Sequence, residues 1–269
     1  MNETIRQLYD RKSVRVFDDR EIDEEIVKEI LLSASMAPTA GNEQLYKILR
    51  ITDQKIKEQL ADSCDHQPFI ARGKLVLVFL ADCLKWYEAF RDAGCNPRSP
   101  GEGDLLLAVE DALIAAQNCV VAAQSYGIGS CYIGDIMENI ELQREILNLP
   151  EYVFPAGMLV FGYPTEQQKS QKKPERVELK YLVQENQYHR RDAKELRTML
   201  AKTEHADDYE DWIKAFHDRK YNSDFAREMT RSVREALNSS EAKCKFEGIT
   251  GVIPSNHSIM KAAASESCA

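Results

Sequence analysis

The segment RKSVRVF, residues 11–17, sets Arg11, Lys12 and Arg15 around the hydroxyl of Ser13. In an extended conformation, alternation turns Arg11, Ser13 and Arg15 to one side. A guanidinium presents a planar fork of donors that matches phosphate oxygens, and the serine hydroxyl adds a compact donor. Three donors on one side would make a phosphate cradle; taken alone, the same run reads equally as a solvated basic turn. A second basic cluster, KSQKKPERV, carries Lys173 and Arg176 on either side of Pro174. Basic groups converging from opposite ends of the chain would close a phosphate site, although an isolated lysine-rich loop is more often exposed. PTAGNEQ, residues 38–44, offers the N–H groups of Thr39, Ala40 and Gly41 and the amide of Asn42 to a flat polar ring edge. GIGSCYIGD places Gly127, Gly129 and Gly134 where backbone can approach a planar ligand closely. Ordinary turns account for both glycine-bearing stretches as well.

Other chemistries lack their residues. The five histidines have no metal-ligand spacing to one another or to cysteine, and there is no CxxC pair. No GxSxG elbow or Ser/His/Asp pattern points to a hydrolase. The GxGxxG and GxxxxGK(S/T) signatures of dinucleotide and P-loop sites are absent. With no evident acid, base or nucleophile, any reaction points to chemistry supplied by a cofactor.

Composition bounds the rest. The chain has 269 residues, 43% hydrophobic and 29% charged, as expected of a soluble globular protein with one large domain or two small ones. A formal charge of −9 argues against general binding to nucleic acid or anionic membrane. A bound anion therefore needs local basic residues. No run of about 18 apolar residues predicts a membrane span, and the N-terminus lacks the apolar stretch of a signal peptide. Seven scattered cysteines fit reduced thiols in a cytoplasm.

Several elements must position these residues. Helices are predicted at 2–10, over DDREIDEEIVKEILLSASMA ending before Pro38, and over QKIKEQLADSC after a capping Asp53. Strands are predicted at 47–52, 74–82 and 156–164, the last two as continuous apolar runs buried on both faces. The strongest helix, 104–126, is apolar nearly all round and rich in alanine, so it is expected to be buried, with small residues that let another helix approach. A helix follows at 140–150. Residues 191–206 read as a polar linker, and 207–238 as one charged helix anchored by Trp212, Phe216 and Phe225. Strands interspersed with helices predict a sheet sandwiched by helices.

These motifs, in order, resemble the FMN-dependent nitroreductase superfamily: RKSVRVF, APTAGNEQ, a glutamine before the first buried strand, AAQNCVVAAQSYGIGSCYIGDI, NIELQREILNLPEYVFPAGMLVFGYP, KKPERV and VQENQY. They are most similar to the oxygen-insensitive NAD(P)H nitroreductase and NADPH–flavin oxidoreductase branch. The resemblance implies an α+β fold with a mixed, largely antiparallel sheet wrapped by helices, in a homodimer with two FMN sites at the interface. It implies an FMN-binding domain over 1–190, a helical extension over 191–240 packing on the partner subunit, and a flexible tail over 241–269.

By the same resemblance, Arg11, Lys12, Ser13 and Arg15 contact the FMN phosphate and ribityl chain, with Lys173 and Arg176 as the second phosphate-binding segment. Thr39, Ala40, Gly41 and Asn42 stand near the flavin. Gln67 matches a glutamine that contacts the flavin from the partner. Tyr132, Ile133, Gly134 and Asp135 run along the isoalloxazine, with Gly134 and Asp135 near its N5. The implied activity takes hydride from NAD(P)H and reduces nitroaromatics, quinones or flavins by a ping-pong mechanism. An alternative is a flavin-binding redox sensor or carrier without turnover, and a third is a specialised branch whose lid would be 84–103. Relatives commonly have Gly where this chain has Asp135 and Arg where it has Met137.

Overall fold

The computed structural model describes residues 1–201 and 207–241. Its centre is a four-stranded sheet of β1 (Tyr46–Arg50), β2 (Leu75–Asp82), β3 (Gly129–Ile133) and β4 (Val153–Gly162), in the order β1-β2-β4-β3. All three pairings are antiparallel. Tyr46 lies opposite Ala81, Val78 opposite Met158 and Cys131 opposite Val160. The two central strands are buried along their whole length, as their unbroken apolar runs predict.

Alternation along β2 divides the core in two. Leu75, Leu77, Phe79 and Ala81 face one layer, where α2 (Glu24–Ser35) and α5 (Glu102–Ser125) pack. Val76, Val78 and Leu80 face the other, against Leu60 and Ala61 of α3 (Gln54–Ser63) and beside α6 (Ile140–Leu147). Asp53 caps α3 by accepting from the Ile56 N–H at 3.0 Å. The N-terminal helix α1 is Glu3–Asp10, with the Asn2 side chain as its cap.

Helix α5 buries Ala108, Ala112, Ala115, Ala116, Cys119, Val120 and Ala123 against the sheet and α2. Its length and apolar composition would also suit a membrane span. The buried face is the small-residue face. The opposite face leaves Leu106, Leu107, Leu113 and Ile114 exposed, Leu106 at 64%. The helix is therefore covered on only one side in a single chain, where its all-round apolar sequence predicted burial.

Other differences from the sequence reading have local causes. β3 was not predicted because its flanking glycines mask a five-residue strand. The stretch 84–103 contains a helix, α4 (Leu84–Asp92), ahead of its proline-rich loop. Two short helices follow β4, α7 (Glu166–Ser170) and α8 (Leu179–Leu182). The predicted linker holds α9 (Ala193–Ala201), whose Ala201 is buried.

The single predicted helix over 207–238 is two: α10 (Tyr209–Phe216) and α11 (Asp224–Glu241), joined by a π-type turn at His217–Tyr221. Phe216 is exposed, so it is not the expected anchor. α11 packs on α6 and on the Asp135–Met137 turn of its own chain. The tail expected from 241 onward lies outside the described residues after Glu241.

Candidate functional site

The segment after α1 is held against the sheet edge by backbone. Val14 N–H donates to the Ser130 carbonyl at 2.9 Å, and Ser13 bridges Ser130 in parallel. Asp18 N–H donates to the Tyr163 carbonyl at 2.8 Å. Two glycines make this approach possible. A Cβ on Gly129 would sit 2.6 Å from a Val14 methyl, and one on Gly162 would sit 2.6 Å from the Phe17 ring. The expectation that Gly129 makes room for a planar ligand is thus corrected, since Val14 fills that space. A Cβ on Gly134 would meet only Met137 Cε, at 3.9 Å, so the Gly134 position is open.

With Val14 buried, Arg11, Ser13 and Arg15 act together on the Cys131 thiol from the other side of the segment. Burial is the main influence on that thiol and raises its pKa; the two guanidinium groups and the Ser13 hydroxyl oppose the rise. Arg11 and Arg176 both lower the pKa of Lys173, after partial burial, so the two basic clusters predicted from opposite ends of the chain do meet.

The lysines within them have a structural task. Lys12 Nζ donates to the carbonyls of Lys169, at 2.7 Å, and Gln171. Lys173 Nζ donates to those of Tyr9 at 2.7 Å and Leu8 at 3.3 Å. Each lysine ties its own segment to the backbone of the other. Arg15 and Arg176 are exposed, whereas Arg11 is half-buried and its Nη1 is buried with no hydrogen-bond partner among the described residues.

Beyond β3, the turn Asp135–Met137 carries Asp135, whose carboxylate accepts a hydrogen bond from Gln67 Nε2. Gln67 Nε2 also donates to the Cys64 carbonyl at 2.8 Å. Burial raises the Asp135 pKa, the Gln67 hydrogen bond opposes that rise, and the weaker influences of Lys220 and Arg15 oppose it too, whereas Asp65 reinforces it. Gln67, Asp135 and Arg15 are thus neighbours within one chain. Tyr132 points to the α5 side, its hydroxyl 3.4 Å from Gln117 Oε1, and Ile133 is buried in the opposite layer.

The 39–42 turn is elsewhere. Ala40–Asn42 forms a 3-10 turn with Gly41 and Asn42 at φ +53° and +57°. The Thr39 hydroxyl is bonded to Asp111 on α5, which also accepts from the Leu45 N–H at 3.0 Å. Among the described residues no hydrogen bond or ion pair links this turn to Arg11, Ser13 or Arg15.

Two positioning residues escape the sequence reading. Gln168, the buried residue of α7, accepts from the Arg15 N–H at 3.2 Å and fixes that residue's backbone. Its only signal is the Thr165 cap that starts α7. Asp111 is a buried carboxylate in the middle of an alanine-rich helix, a polar exception that flags its role.

A family model described as "Nitroreductase family" matches residues 8–163. An "NADPH-dependent oxidoreductase" of Staphylococcus aureus strain N315 is 30% identical over 213 residues, covering 78% of this chain and 81% of that protein. Among solved structures, Bacillus megaterium NfrA2 superposes with a TM-score of 0.74 at 27% identity, covering 88% of this chain and 98% of that one. The NADPH:FMN oxidoreductase of Vibrio harveyi, solved with NAD+, gives a TM-score of 0.70 at 24% identity over 89% and 98% of the two chains, a likeness of fold.

Proposed function

Because the chain belongs to the nitroreductase family and is an NAD(P)H-dependent oxidoreductase, we propose that it binds FMN and reduces nitroaromatics, quinones or flavins by a ping-pong mechanism, as a cytoplasmic homodimer. The observation that carries the FMN reading is Arg11 Nη1, buried with no hydrogen-bond partner among the described residues. A buried guanidinium nitrogen without an acceptor is costly, and here it lies where Lys173 and Arg176 add positive charge. That donor set fits a dianionic phosphate. When bound, FMN supplies hydride acceptance from a nicotinamide and hydride delivery to an electron-poor acceptor.

The chain's own residues then divide the work. Arg11, Ser13, Arg15 and Arg176 would hold the phosphate and ribityl end, while Lys12 and Lys173 keep the two segments clasped. Gly134 leaves the edge of β3 open to a flat ring, and Asp135, with Gln67, would stand at the reacting edge. The 39–42 turn, held by Asp111 at the side of α5, would serve the flavin of the other subunit. The exposed leucines and isoleucine of α5 support that dimer, because a two-fold contact would use the same patch twice.

The test is direct. Purified protein is expected to be yellow, and NADPH or NADH is expected to bleach it in the absence of oxygen, followed by recovery of colour on adding a quinone. A yellow protein that neither nicotinamide bleaches would favour the sensor or carrier reading. Each charge-assisted hydrogen bond contributes about 1.5–3 kcal/mol, so Arg11→Ala is expected to weaken FMN binding roughly 10- to 150-fold. Unchanged flavin occupancy in both Arg11→Ala and Arg176→Ala would overturn the phosphate assignment.

A further inference from the structure

Glu138 lies where four elements converge: the end of α3, the Asp135–Met137 turn, α6 and α11. It is 7% exposed, and its Oε1 is buried without a hydrogen-bond partner among the described residues. Around it, the C-terminal helix is docked by polar contacts to the same turn. Glu228 Oε1 accepts from the Asn139 N–H at 3.1 Å and from the Ser232 hydroxyl at 2.7 Å. The fully buried Ser232 in turn accepts from the Ile140 N–H at 3.1 Å. Arg231 spans the junction, pairing bidentately with Glu141 on α6 at 2.8 Å and with Glu228 on its own helix.

We propose that Glu138 is a positioning residue whose neutral carboxyl lets α11 seal the 135–141 turn, so that its ionisation undocks the C-terminal helix and loosens the turn that carries Asp135. The proposal stands whether or not the site binds a flavin. An unpartnered carboxylate buried in this junction would be costly, because burial penalises the charge and no donor compensates it.

Nearly every charge that faces it is of the same sign. Burial is the largest influence, and Asp135 on the turn, Asp65 after α3 and Glu228 on α11 reinforce it, pushing the Glu138 carboxyl up to about 7. The Cys64 thiol at the end of α3 is likewise pushed up to about 12, chiefly by burial. The cations nearby are engaged elsewhere. Lys220 and Arg15 act on Asp135, and Arg231 is shared between Glu141 and Glu228. Gln143 on α6 directs its Nε2 to the Ser63 hydroxyl at 3.1 Å.

The folded chain holds the Glu138 proton more tightly than the unfolded chain, whose ordinary value is 4.5. The resulting stabilisation is complete below about 4.5 and is lost as pH rises through about 7. Glu141 and Glu228 have the opposite sign. Both are held down to about 2, mainly by Arg231, and their contribution is lost as pH falls toward that value. Docking of α11 is therefore strongest between about 2 and 4.5 and weakens from there up to about 7 because of Glu138.

The experiment is amide hydrogen exchange at Asn139 and Ile140, whose N–H groups are covered by Glu228 and Ser232, from pH 5.5 to 8.5 after correction for intrinsic rates. In the wild type, protection at these two amides is expected to fall at least tenfold between pH 5.5 and about 7 and to level off above that, while the β2 amides stay protected. Glu138→Gln, neutral at every pH and of the same size, is expected to hold protection flat. Flat protection in the wild type, or the same fall in the variant, would overturn the proposal. Carbon-13 carboxyl NMR of the wild type gives a check that needs no variant. A Glu138 titration in the ordinary carboxylate range, or one centred away from the pH at which the fall in protection levels off, would overturn it as well.

Discussion

At the scale of single residues, the basic groups first grouped by charge separate by what they touch. Lys12 and Lys173 spend their ammonium groups on backbone carbonyls, whereas Arg11 keeps a buried nitrogen with no partner among the described residues. A sequence shows that Arg11, Lys12, Arg15, Lys173 and Arg176 lie in two basic clusters; it does not show which are already satisfied, because that depends on carbonyls more than 150 residues away in the chain. Asp135 is the other residue whose meaning changed. The departure from Gly at this position is visible in the sequence, but its hydrogen bond to Gln67 and its partial burial are not. Because burial raises its pKa, Asp135 gains its full negative charge later than an ordinary aspartate as pH rises. The wild-type kcat/KM for an anionic quinone is therefore expected to decline as pH rises through that titration, by about two- to fivefold, the effect of one partly solvated charge. Asp135→Asn is expected to remove the decline while leaving a neutral quinone unaffected. Superimposable profiles for the two proteins would remove Asp135 from the reacting edge.

At the scale of elements, what was legible followed hydrophobic period. The buried runs of β2 and β4 and the amphipathic pattern of α2 are strong enough to survive without tertiary information. β3 was missed because a short strand bounded by glycines carries little period, yet it borders most of the site. α9 was missed because its polar surface resembles a linker. The glycines beside β3 make a contrast that can be measured. Gly129→Ala must push aside Val14 and is expected to cost about 1–3 kcal/mol, lowering Tm by roughly 3–10 °C. Gly134→Ala has room for its methyl and is expected to leave Tm unchanged. Equal Tm values for the two variants would show that Val14 does not depend on the bare backbone at Gly129.

At the scale of the whole molecule, the sequence reading could name candidate residues but could not say which of them lie together in one chain. Arg11, Ser13, Arg15, Gln67, Asp135, Lys173 and Arg176 converge along one edge of the sheet, while the 39–42 turn is fastened to α5 through Asp111. The uncovered side of α5 is what a second copy would cover. Ile114→Glu together with Leu113→Glu is expected to halve the mass measured by sedimentation and to release flavin, because charge at the centre of an apolar contact is strongly unfavourable. A variant that sediments like the wild type would place the subunit contact elsewhere.

The reciprocal lysine ties between residues 8–12 and 169–173 carry one more consequence. They make the start of the chain depend on a loop translated far later, so all four strands precede in the chain the segment that completes the proposed phosphate site. A deletion of residues 1–12 would leave every strand in place yet remove Arg11, Lys12 and the two carbonyl acceptors of Lys173. The product to look for is a shortened protein that keeps its circular dichroism spectrum and comes off the column colourless.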